Sequence, residues 1–288
     1  MNGRRNISTQ VQVLILLTAV KLTHVIPAQG RDRVSAVTSL GNEVFILRWE
    51  WSGQVEVYDA STFTLERNIT VPGSGSRPSF GLAACAHYKC LYVSDDRNSI
   101  HRAELSGSSA VKKWSVASGP IGLSVNKEHN VVVACSLHKI QEYTTHGALV
   151  REISLRQAGV TRPRHAVQLS TGDYVVIEWK SPGAVSVVGI DGRVVRRYCP
   201  SPSSDLGEMN HPSGLAVTEN DDILVADACN SRILLVNSSL SSARKLALPV
   251  DDGIQEPWGL CLDESRGRLY VGEYRGSCRV LVFDGVRL

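Results

Sequence analysis

Chemistry in this chain would have to come from a small set of side chains. His165 and His211 flank or follow proline-containing stretches, RPRHAV and NHPSGL, and could each offer an imidazole nitrogen to a metal. A catalytic zinc site needs at least three well-placed protein ligands, and no third histidine falls at an equivalent position; the remaining histidines read as strand or turn residues. Asp95, Asp227 and Glu273 end equivalent apolar runs, so a set of carboxylates for a hard cation is conceivable. The simpler expectation is that they accept the amide N–H groups of a turn. No GxSxG elbow, HExxH or P-loop sequence occurs, so hydrolase, metalloprotease and nucleotide chemistry lack a starting motif. The seven cysteines cannot all pair within one chain and match no CxxC ligand spacing, which leaves buried free thiols as the expectation. Cys85 and Cys90 flank the turn of CAHYKC and would face each other across a hairpin, as a disulfide or as two small apolar groups. What remains is recognition: tryptophans and arginines, the residue types that anchor macromolecular contacts.

The elements that would position these residues appear as a repeat. RVSAVTSL, RPSFGLAA, GPIGLSV, RPRHAVQL, HPSGLAV and EPWGLCL align on Ala36, Gly81, Gly122, His165, Gly214 and Gly259, spaced 45, 41, 43, 49 and 45 residues apart. A period of that size built from short strands is that of a propeller blade. After each anchor comes a β-branched and aromatic run, such as VFILRW, CLYVSD or DYVVIEW, then a third run such as QVEVYD or RILLVN, then a looser fourth such as ALVREISL. The fold class predicted is therefore all-β: a six-bladed β-propeller of four-stranded antiparallel blades. The last unit stops after its third strand, at Asp284-Gly285-Val286-Arg287-Leu288, which would leave a blade edge unpaired. Val11 to Ile26 is the segment with the character to complete it. That role competes with a leader reading, because Arg4 and Arg5, the apolar run Val11 to Val20 and the small residues near Ala28 imitate a signal peptide. The run is too short to span a bilayer.

Bulk properties exclude little. With 43% hydrophobic and 20% charged residues, the chain has the composition of a globular domain rather than a disordered one. A formal charge of +3 permits an anionic partner without requiring one. The sequons at Asn6, Asn68 and Asn237 only permit glycosylation.

The blade pattern resembles the NHL-repeat family, best in HPSGLAVTENDDILVADACNSRILLVN and then in PWGLCLDESRGRLYVGEY. RPSFGLAACAHYKCLYVSDDRNSIHRAEL keeps Asp95 and Asn98 where the best copy has Asp227 and Asn230, whereas Ala134, Glu178 and Arg48 stand in for the aspartate in the other blades. The likeness spans residues 33–288, preceded by an N-terminal segment, 1–32. It implies a recognition module that binds a protein or peptide, or alternatively RNA, on the top face, where the loops entering first strands and those joining second to third strands meet. The residues that fall there are Trp49, Trp51, Arg77, Phe80, Arg97, Arg162, Arg164, Trp179, Lys180, Trp258, Tyr274 and Arg275. RNA would favour a continuous basic patch beside stacking rings, and acidic residues interleave these cations. Two enzyme families are similar in architecture, the peptidylglycine amidating lyases with a histidine-held channel metal and the gluconolactonase-type lactonases with calcium. They imply a metal-dependent lyase or lactonase as the alternative class. The zinc-binding ubiquitin-ligase modules that precede many NHL propellers do not occur in this sequence, so ubiquitin transfer is not inferred. The expectation is a non-catalytic, monomeric, cytoplasmic module without cofactor or metal.

Overall fold

The computed structural model describes residues 19–28, 32–49, 53–71, 81–105 and 111–288. Trp51, Arg77 and Phe80 lie outside the described residues, as does the stretch before Ala19 that carries most of the leader reading. Among the described residues, the strands form six four-stranded antiparallel sheets. The innermost strands are Arg33–Leu40, Leu82–Cys85, Pro120–Val125, Pro163–Gln168, Pro212–Val217 and Pro257–Asp263. Each blade runs outward in chain order except the sixth. Its outer strand is Lys21–Ile26, which pairs antiparallel with Val280–Asp284 and sets Ile26 opposite Val280. The N-terminal strand thus closes the ring, and the Thr23 hydroxyl adds a bond to the Asp284 carboxylate at 3.2 Å. No helix among the described residues is long and apolar enough to cross a membrane.

Burial follows the position of each strand in its blade. Cys90–Ser94, Val131–Cys135, Tyr174–Glu178 and Ile223–Asp227 are buried throughout, because both faces of a mid-sheet strand are covered by neighbouring blades. That is why they read as continuous apolar runs rather than alternating ones. The outer strands Leu65–Thr70 and Leu149–Ser154 are mostly exposed. Side chains of successive blades interdigitate in six apolar clusters. The cluster between the sixth and first blades sets Ile26, Tyr270, Val280 and Val282 against Val34, Val44, Ile46 and Tyr58, so the closing strand is packed as well as hydrogen-bonded.

The anchor motif has a backbone cause. Inner strands carry a register shift at Val34/Ala36, Pro120/Gly122, Pro163/His165, Pro212/Leu215 and Pro257/Gly259. Proline is tolerated at a strand's first residue, where no ladder N–H is needed. Around the channel the inner strands approach so closely that a Cβ added to Gly122 would sit 2.5 Å from the Arg164 carbonyl oxygen. Glycine at the anchor is a packing requirement there.

Candidate functional site

The carboxylates that end second strands act as clamps for the top loops. Asp227 accepts the Asn210 N–H at 2.7 Å, the Asn230 amide at 2.8 Å and Arg232 Nε at 2.7 Å. Glu178 accepts the Thr161 N–H at 2.7 Å and pairs with Arg197 and Lys180. Glu273 accepts the Gln255 N–H at 2.8 Å and Arg279 Nε at 3.0 Å. Asp95 takes the N–H groups of Arg97 and Ser99 and the His101 imidazole. Each is therefore engaged by two or more donors of the fold, and among the described residues no three His, Cys, Asp or Glu side chains gather as a metal-binding group. One residue assignment needs correcting. In the third blade the counterpart of Asp227 is Cys135, which faces Pro120 as Asp227 faces Pro212; Ala134 lies one residue before it. Cys135 donates its S–H to Gln141 Oε1 at 3.4 Å, a bond to the third strand of its own blade. Cys85 and Cys90 do face each other in register, as buried free thiols.

His165 is likewise committed to the scaffold. Its Nε2–H donates to the Leu123 carbonyl at 3.0 Å and its Nδ1 accepts the Leu215 N–H at 3.1 Å, so one neutral imidazole ties the third, fourth and fifth blades together. The ring lines the narrow channel, a cavity of about 50 Å³. Burial away from bulk water lowers its pKa to about 4. His211 bonds the Asn210 side chain through Nδ1 at 2.7 Å and packs edge-on against Trp179.

Above the channel lies a second cavity of about 440 Å³, walled by Trp49, Trp179, Trp258, Tyr274, Ile121, Pro163, Ser136, Arg162 and Arg164. Trp258 and Tyr274 stack at 4.0 Å with 17° between planes, Trp179 leans on Trp258 at 4.8 Å, and Trp49 meets Tyr274 edge-on at 5.8 Å. These rings form a cluster of their own with Ala228, separate from the six interblade cores. They are not ordinary blade-to-blade packing. The Arg164 guanidinium lies 4.8 Å from the Trp258 ring centre and that of Arg33 4.8 Å from the Tyr274 ring centre, both within cation–π range. Desolvation in this wall brings Arg164 down to about 10.

Six of the sequence-predicted residues, Trp49, Arg162, Arg164, Trp179, Trp258 and Tyr274, thus line one cavity. Lys180 and Arg275 sit in flanking loops, paired with Glu178 and Glu256. Arg97 is exposed on a second-blade turn and does not line the cavity. Arg33, which also bonds the Tyr274 hydroxyl at 3.1 Å, and His211 as a ring partner were missed. Both had a signal: Arg33, Arg77, Gly119, Arg162, His211 and Glu256 occupy the same repeat position, the first residue of each aligned segment.

The comparisons fit this geometry. The NHL repeat model matches residues 209–234 and 255–283, in the fifth and sixth blades. Among solved structures the chain is similar to virginiamycin B lyase from Staphylococcus aureus, at TM-score 0.66 and 13% identity over 92% of this chain and 99% of that one. It is similar to Kuenenia stuttgartiensis hydrazine synthase at 0.65 and 16%, over 89% and 96%. A chain of the nidogen/laminin complex gives 0.62 and 20%, over 81% and 86%. At such identities the likeness concerns the fold alone. No curated protein matches the chain. With repeat sequence, blade topology and ring closure in agreement, the chain carries NHL repeats in a six-bladed β-propeller.

Proposed function

We propose that this propeller is a non-catalytic recognition module that holds a protein or peptide partner in the aromatic cavity of its top face. The observation that carries the reading is the ring cluster itself. Trp49, Trp179, Trp258 and Tyr274 come from the first, fourth and sixth blades, converge outside every interblade core, and wall a cavity of about 440 Å³. Such a volume lies in the range of small-ligand and side-chain pockets, roughly 300–1,000 Å³. Rigid aromatic side chains offer large contact area at low entropy cost, which is why they dominate interface energetics. Trp49 and Trp179 are half-buried, so part of their surface is open to a partner.

The test is selection of binders from a random peptide library on the full chain, followed by titration of the winners against Trp179→Ala and Trp49→Ala. Loss of a hot-spot aromatic costs about 2 kcal/mol or more, so each variant is expected to bind at least about tenfold more weakly while remaining folded, as circular dichroism would show. Winners that bind both variants as tightly as wild type would remove the cavity from the account.

A further inference from the structure

The wall of the aromatic cavity carries guanidinium groups among its rings. Among the described residues it contains two guanidinium groups, Arg162 and Arg164, and no carboxylate. The carboxylates of flanking loops are already engaged, Glu178 by Arg197 and Lys180 and Glu256 by Arg275. Arg164 is only 8% exposed and lies against Trp258, so its charge is held in a water-poor wall, where attraction to an opposite charge is stronger than in bulk water. Arg162 is exposed at the mouth and, among the described residues, its side chain makes no hydrogen bond or ion pair. Arg33 adds a third guanidinium at the rim, over Tyr274.

Taking the peptide-binding reading as its basis, we infer that the occupant is an acidic peptide: a side-chain carboxylate set between Arg162 and Arg164, with the neighbouring apolar or aromatic residue against Trp49 and Trp179. The guanidinium fork matches a carboxylate in two hydrogen bonds. The rings beside it exclude water and accept an apolar side chain. RNA fits less well. Trp258 and Tyr274 stack on each other and are under a tenth exposed, so their faces are closed to a base, and the cations of the flanking loops are paired rather than strung along a phosphate track.

A random heptapeptide selection on the full chain tests the assignment. Winners should be enriched in Asp or Glu next to Phe, Trp or Leu. Exchanging that acid for its amide should weaken binding at least tenfold, as should Arg162→Glu, while Arg162→Lys keeps most of the affinity. Because Arg162 is exposed, the variants should unfold as the wild type does. Winners without an acid, whose binding Trp179→Ala still removes, would overturn the charge assignment and leave peptide binding standing. Winners indifferent to both Trp179→Ala and Arg162→Glu, or an empty selection, would overturn both. Displacement of the winning peptide by equimolar ten-nucleotide oligouridine would overturn the peptide in favour of RNA.

Discussion

The first and fifth blades solve the same problem with opposite charges. In the fifth, the second strand ends in Asp227, and the loop above presents donors, the Asn210 N–H, the Asn230 amide and Arg232. In the first, the equivalent residue is Arg48, fully buried, with Glu56 as its partner at 2.9 Å. What surrounds Arg48 is a set of acceptors: the carbonyls of Pro27, Asp32 and Cys278 at 3.0, 3.3 and 3.0 Å. These belong to the exit of the closing strand, the entry of the first blade and the last blade. At the seam where the ring shuts, the backbone turns C=O groups rather than N–H groups toward the clamp, and a carboxylate there would face oxygen. The repeat therefore preserves a hydrogen-bonding requirement and lets the residue change to meet it.

The largest effect should come from breaking the seam. Arg48→Ala leaves Glu56 buried without its partner and three carbonyls short of a donor; removing one side of a buried pair costs about 3–5 kcal/mol, measurable by urea unfolding. The double exchange Arg48→Glu with Glu56→Arg should not restore stability, whereas a simple ion pair would tolerate the swap. Asp227→Ala should cost somewhat less, about 2–3 kcal/mol, because the fifth blade sits within an already closed ring and Asn210 and Asn230 lie at a partly hydrated surface.

A subtler contrast separates His165 from the clamps. Its folded pKa of about 4 lies below the ordinary 6.5, so the unfolded chain binds the proton first. The stability it contributes is complete above about pH 6.5 and is lost as pH falls toward about 4, by roughly 2–4 kcal/mol. Protonation would also deny the Leu215 N–H its acceptor. Wild type should therefore lose more stability than His165→Gln between pH 7 and pH 4.5, and parallel losses would exclude this role. The smallest effect is expected from a chelator. With Asp95, Asp227 and Glu273 engaged by amides and cations, EDTA should leave the melting temperature unchanged; a drop, with stoichiometric zinc or calcium in the purified protein, would favour the metal-dependent alternative.

Much of the architecture was legible because propeller strands advertise their layer. Second strands buried on both faces become unbroken apolar runs, and the Pro-x-Gly anchor marks where backbones crowd the channel. The closing role of the N-terminal segment could be read from a last blade one strand short. The clamp residue of the third blade was misplaced because Cys135 looks like one more apolar residue until pairing fixes the register. The site was readable by repeat position, which brought Trp49, Trp179, Trp258 and Tyr274 to one face. That their rings stack into a single wall depends on side-chain directions across blades far apart in sequence. Arg33 was overlooked, and His211 was weighed as a metal ligand rather than as a ring partner, since only the ring of equivalent positions brings the two beside the aromatic cluster.

The most direct test of a partner-binding top face is a hydrogen-exchange footprint of the full chain with and without a library-selected peptide. Slowed exchange is expected only in the segments carrying Trp49, Arg162 to Arg164, Trp179, Trp258 and Tyr274, with the outer strands and the bottom turns unchanged. Protection at the outer strand Leu149–Ser154 or at the bottom turns, with the top face exchanging as before, would contradict it.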